Sequence, residues 1–310
     1  MGVARRFSAG ETAEGSVRRG PGAAAAVRRA LAYLILGLGM VVAIGPFLVT
    51  VLASVKTPIE LVKGIFALPE VWRWGNYEQA WTTGHLGRFF VNSLIVAVGV
   101  VVPSLFLSAM SGYAFARFRF RGSAVLFGYL MLGLVVPLQA MVIPLFYLMR
   151  SFPFTGGNDW SGNGGFGLLN SHWALILPQV AMSVSFGTLM MRQAFLAIPR
   201  EIVEASIVDG AGSWNILWRI MFPLTRPMVG TLALMFFIWT WNEFLLPLVV
   251  NIDPQYHTLP LGLLYFQAQW TAQVPIIAAG ATIIFLPLTV VFLLFQRQLV
   301  RGITAGAVKG

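Results

Sequence analysis

Glu201, Glu204 and Asp209 stand close together in EIVEASIVDGAGSWNILWRIMFPLTRP (201–227), and Glu243 stands alone in an apolar run. Acids at 201 and 204 fall where the positive end of a helix that starts near Pro199 favours carboxylates. Glu243 is a different matter, because an ionisable group inside an apolar span is costly unless it faces protein or water. It lines a solute pathway or fixes helix packing. Asn242 stands beside it, and Trp241 with Phe236, Phe237 and Trp239 supplies aromatic faces that suit sugar rings and also serve as ordinary bundle filling.

Other chemistry finds little support. His85, His172 and His257 lie far apart with no metal-ligand spacing, and the chain has no cysteine. Gly162, Gly164 and Gly167 match the G-x-G-x-x-G pattern, but no strand precedes them, and the segment reads as a flexible loop. Neither H-E-x-x-H nor G-x-S-x-G occurs, which leaves a membrane-embedded enzyme without a nucleophile, base or metal set. The chain also lacks the G-x-x-x-x-G-K-[ST] phosphate loop and has three lysines, Lys56, Lys63 and Lys309, so it is not itself an ATPase.

The elements that position these residues are membrane helices. Hydrophobic residues make up 57% of the sequence and charged ones 10%, against about 25% charged in soluble domains. Apolar stretches, uncharged except for Glu243 in the fifth, occur at Ala30–Val55, Phe89–Ala116, Gly122–Met149, Leu168–Met191, Met228–Val250 and Val274–Phe295. Each is long enough to cross a bilayer, and none alternates as a barrel strand would. The expected fold is therefore an all-α integral membrane protein with six transmembrane helices and a cytoplasmic helix-turn-helix. With the N-terminus inside, the inner segments 1–29, 117–121, 192–226 and 297–309 carry sixteen of the 21 basic residues. That asymmetry places both termini and the 199–227 hairpin in the cytoplasm. Residues 1–29 read as a disordered basic tail, since a Gly/Ala/Arg-rich tract separates the twin-arginine-like start from the first apolar run. Residues 30–300 form the permease-like domain, and 301–310 a second cytoplasmic tail. No internal repeat is evident.

Within the hairpin, the first helix is expected to stop at Asp209-Gly210, where glycine takes a left-handed conformation. Ser213 would cap a second helix reaching Met221, with Trp214, Leu217, Trp218 and Met221 on one face. That face suits either a membrane surface or a docking partner.

The order Glu204-Ala205, Asp209-Gly210-Ala211, Ile220 and Pro223 resembles the EAA motif of permease subunits in ATP-binding-cassette importers. Ser206 stands where the family has a second alanine, and Leu217 where an aromatic is common. WNEFLLPLV (241–249) and the tail QRQLVRGITAGAVKG (296–310) are similar to those of maltose-type carbohydrate permeases. The resemblance covers Ala30 to Gly310. It implies a non-catalytic transmembrane subunit that works with a second permease, two copies of an ATPase subunit and an external solute-binding protein. ATP and Mg would be used by the partner, and no cofactor would be bound directly. The hairpin would be the coupling helix, the loop with Tyr256, Gln267 and Trp270 would face the binding protein, and the tail with Thr304, Gly306 and Lys309 would reach the ATPase. Trp241, Asn242 and Glu243 would line the solute pathway. A self-contained secondary transporter or channel is the competing reading, which would normally show an internal repeat or several buried charges.

Overall fold

The computed structural model describes residues 23–269 and 273–307, with side chains at 27–264 and 273–296. Most of the basic N-terminal tail, together with Trp270 and Lys309, lies outside the described residues. The chain divides at Val49 into two units, of which the first is the larger part of one helix. That helix, α1 (Ala23–Ser54), begins seven residues before the expected span and is uncharged from Leu31 onwards.

The second unit continues with two short helices, α2 (Pro58–Lys63) and α3 (Gly75–Thr82), and then the long α4 (Leu86–Arg117). After α4 come α5 (Ser123–Leu132), α6 (Leu138–Arg150) and α7 (Trp173–Leu196). The hairpin region holds α8 (Arg200–Val208), α9 (Ser213–Asn215) and α10 (Phe222–Leu224), with a π-helical turn over Ile216–Met221 between the last two. The chain ends with α11 (Arg226–Trp241), α12 (Leu245–Val250), α13 (Leu259–Gln269) and α14 (Val274–Ala307). No strand occurs among the described residues.

Four helices are long and apolar enough to cross a membrane, Val27–Ser54, Leu86–Arg117, Trp173–Leu196 and Val274–Gln296. The other two expected spans are broken, and each break has a local cause. Gly122–Met149 divides at 133–137 because Pro137 has no N–H and disfavours helical backbone at Val136. Met228–Val250 divides at 242–244, where the Asn242 amide donates back to Ile238 O (2.8 Å) and the Glu243 carboxylate accepts from Leu246 N (3.0 Å). Those two hydrogen bonds end one helix and start the next.

Helices α4 and α7 form the spine of the bundle. They run parallel, pairing Asn92 with His172, Ser111 with Thr188, and Arg117 with Phe195 and Ile198. Gly112 allows the approach, since a Cβ there would stand 2.7 Å from Met191 Cβ and 2.9 Å from Arg192 N. Two parallel neighbours require a return path, so α5 and α6 together carry the chain from one end of the bundle to the other. α11 and α12 make the second return: Leu232 packs with Tyr113 near the hairpin, whereas Trp241 packs with Leu86 and Phe89 at the opposite end. The three passes made by α4, α7 and α14 are unbroken, and both return passes are jointed.

Candidate functional site

The hairpin is built by local rules. Pro199 is the N-cap of α8, with φ −52° and ψ 141°, and Glu201 lies in the first turn as the dipole favours. The helix closes with a paired arrangement at its end: Gly210 N donates to Ile207 O (3.0 Å) and Ala211 N to Ser206 O (2.9 Å). This is the Schellman motif, and Gly210 has the positive φ of +82° that the motif needs. The sequence places this stop correctly.

The second arm departs from expectation. Gly212, not Ser213, is its N-cap, no side-chain hydrogen bond caps the helix, and Ser213 is its first residue. The π-helical turn widens the helix, which shifts the register of the bulky face. Ile216, Leu217 and Met221 are buried in a cluster with Ala109, Tyr113, Met191, Phe195, Leu232 and Phe236. Trp218 stacks on Phe106 at 5.2 Å and 11°, and Trp214 stays exposed. Most of the expected docking face is thus the root of the hairpin in its own bundle. The 213–224 arm meets α11 at 80°, so it lies across the bundle end.

Glu204, Ala205, Asp209 and Gly210 are exposed, Ala211, Ile220 and Pro223 are half-buried, and Val203 is the buried side chain of α8. Asp209 sits at the C-terminal end of α8, where the helix dipole opposes a carboxylate by about 0.3–1 kcal/mol.

A second constellation lies between the helix breaks. Gly133, Leu134, Val136 and Pro137 at the first break and Glu243 at the second face one cavity of about 330 Å³, lined also by Gln179, Ser183, Trp239 and Thr240. Of the three expected pathway residues, Glu243 reaches this cavity. Trp241 is buried on the other side and donates from Nε1 to Ile284 O (3.1 Å), and Asn242 is exposed. Gln179 and Ser183 escape a reading of motifs, yet their i, i+4 spacing in an apolar stretch marks one polar face of α7.

At the end of the bundle away from the hairpin, Asn92 joins the helix spine to the 251–258 segment. Its amide donates to Gln255 O (2.7 Å) and His257 O (2.9 Å), while its Oδ1 stands 3.0 Å from His172 Nε2. Tyr256 packs edge-on against His172 at 5.5 Å and is only partly exposed. Burial lowers the pKa of both His172 and His257. Gln267 lies in α13, and Thr304 and Gly306 lie in α14, which continues as helix through Ala307 where a tail is expected.

Residues 104–305 match the binding-protein-dependent transport system inner membrane component family. The chain belongs to that family, whose members are permease subunits of transport systems. It is 31% identical over 279 residues to the diacetylchitobiose uptake system permease of Streptomyces coelicolor, covering 89% of this chain and 88% of that one. It is 32% identical over 280 residues to a probable starch degradation products transport permease of Thermoanaerobacterium thermosulfurigenes, covering 89% and 97%. In structure it resembles a bacterial ABC transporter involved in importing the acidic polysaccharide alginate, with TM-score 0.74 at 20% identity, covering 89% of this chain and 97% of that one.

Proposed function

We propose that this chain is the transmembrane permease subunit of an ATP-driven, binding-protein-dependent importer of sugars or oligosaccharides in a prokaryotic plasma membrane. The observation that carries the reading is the hairpin. It presents Glu204, Ala205, Asp209 and Gly210 outward while Ile216, Leu217 and Met221 are sunk between α4, α7 and α11. A displacement imposed on the exposed turn therefore reaches three membrane helices through close-packed side chains, as a lever does. The chain is not the catalyst. ATP and Mg are used by a separate ATPase, two copies of which would bind this hairpin and that of a second, homologous permease.

In this reading α5 with α6, and α11 with α12, each cross the membrane once, which gives six crossings with both termini and the hairpin in the cytoplasm. Broken helices at mid-depth are tolerated where they line a cavity, and the cavity holding Glu243, Gln179 and Ser183 is the stretch of solute pathway this subunit would supply. The 251–269 segment would face the external binding protein, and the end of α14 the ATPase. The test is affinity purification from detergent-solubilised membranes with and without Glu204→Lys. Recovery of an ATPase and a second permease, with the ATPase alone lost in the variant, supports the reading. A chain recovered alone that moves solute in liposomes without ATP would make it a secondary transporter.

A further inference from the structure

A cleft of about 1030 Å³ opens between α8 and the turn that joins α4 to α5. Arg117, Arg119, Arg121, Arg192 and Arg200 line it against a single acid, Glu204. Among the described residues the one ion pair is Lys63–Glu70, so the chain does not neutralise these five guanidinium groups itself. Two of them are partly engaged with carbonyls. Arg117 Nη2 donates to Phe195 O (2.9 Å) and Ile198 O (3.1 Å) at the end of α7, which leaves its Nε buried without a partner. Arg192 lies over the Phe127 ring at 4.8 Å and donates from Nε to Phe115 O (3.4 Å). Arg119, Arg121 and Arg200 are exposed.

The height of the cleft identifies what fills it. The apolar run of α4 ends at Ala116, and the next five residues alternate arginine with Phe118 and Phe120, both of them exposed. Cationic heads interleaved with aromatic rings mark the depth where a helix leaves the hydrocarbon. The anion concentrated at that depth is phospholipid phosphate, and basic pockets between helices on the cytoplasmic side take such headgroups. Guanidinium groups bind phosphate oxygens in pairs, and the cleft is large enough for one headgroup.

We infer that this cleft seats the phosphate of an anionic phospholipid, held by Arg119, Arg121 and Arg200. Arg200 and Glu204 belong to α8, so the headgroup touches the hairpin directly and braces it against the α4–α5 turn. The inference rests on the arginines and on the membrane topology proposed above, and stands whether or not the hairpin docks an ATPase.

The test is native mass spectrometry of the full chain, with whatever subunits co-purify, titrated with phosphatidylglycerol or phosphatidylcholine. Comparison is made between the wild type, Arg119→Gln/Arg121→Gln, and Arg73→Gln/Arg88→Gln as a charge-matched control remote from the cleft. Each juxtamembrane arginine contributes about fivefold to anionic lipid binding, so the cleft variant should retain phosphatidylglycerol roughly thirtyfold more weakly, with the control unchanged. Retention of phosphatidylcholine should not differ among the three proteins. Equal loss in the two variants, or no preference for phosphatidylglycerol, overturns the site. Displacement of the lipid by inorganic phosphate at equal concentration makes it a free-phosphate site and overturns the lipid assignment. Loss of a co-purifying protein with lipid retention intact makes the cleft a protein-docking surface and overturns it as well.

Discussion

Substitution of Gly210 separates the geometry of the hairpin from its contacts. Nothing lies within 4 Å of a Cβ built at this position, so a side chain meets no obstacle. What Gly210→Ala meets is its own backbone, because φ is +82° and an L-residue held left-handed costs about 1–2 kcal/mol. That moves the equilibrium between formed and opened turn by roughly 5- to 30-fold. Gly210→Pro is more severe. Its φ is fixed near −65°, the hydrogen bond from residue 210 to Ile207 O is lost, and the helical backbone of Asp209 is disfavoured. The proline variant cannot form the turn at all. The assay pairs labelled-oligosaccharide uptake with hydrogen exchange at the Ala211 amide, which is bonded to Ser206 O in the native turn. In the alanine variant exchange should speed up by that factor while uptake falls by less. In the proline variant uptake should drop to background with membrane insertion intact. Uptake at the wild-type rate in Gly210→Pro would refute the lever, and unchanged exchange in Gly210→Ala would refute the conformational argument.

Three further outcomes follow from the packing and the hydrogen bonds. Gly112→Leu forces α4 away from the backbone of Arg192 and should cost at least about 1–3 kcal/mol, read as a lower melting temperature and less full-length protein in membranes. Glu243→Gln keeps an acceptor for Leu246 N and should preserve folding, whereas Glu243→Ala removes the start of α12 and should lower thermal stability. A loss of uptake in the glutamine variant with unchanged stability would place the charge itself in transport. Glu60 has its pKa lowered from 4.5 to about 2, first by the Thr57 backbone N–H, and further by the N–H groups of Glu70 and Val71 and the Thr57 hydroxyl. A depressed carboxylate contributes stability above its unfolded value and loses it as pH falls from 4.5 towards 2. Protection of the Glu70 amide from exchange should fade across that window and stay flat in Glu60→Gln.

The hairpin was the most legible part of the sequence because its signals are local. Pro199, Glu201 and Gly210 act on backbone within a few residues: Glu201 falls in the first turn and Gly210 at the stop as those rules require, while Pro199 stands one place earlier than the first turn, as the N-cap. The second arm was less legible, since the inward turn of Ile216 and Met221 is set by packing on Ala109 and Tyr113 of α4, far back in the sequence, and on Met191 and Phe195 of α7. Apolar content likewise located the four long apolar helices and the two jointed passes, but hydropathy does not register a helix break. Asn242, Glu243 and Pro137 look like isolated polar or stiff residues in a greasy run until hydrogen bonds show them ending one helix and starting another. Gln179 and Ser183 carried a readable spacing, and they gain meaning only beside the break in α11 and α12.

The alternation of unbroken and jointed passes has a mechanical consequence. A straight α-helix resists bending along its whole length, while a helix interrupted by a short non-helical stretch, as at 133–137 and 242–244, swivels at that point with little change elsewhere. In this bundle every second pass has such a knuckle, and the two knuckles lie side by side around one cavity. Motion arriving through the stiff members would therefore be spent at that level, opening or narrowing a single waist and leaving the rest of the frame unbent.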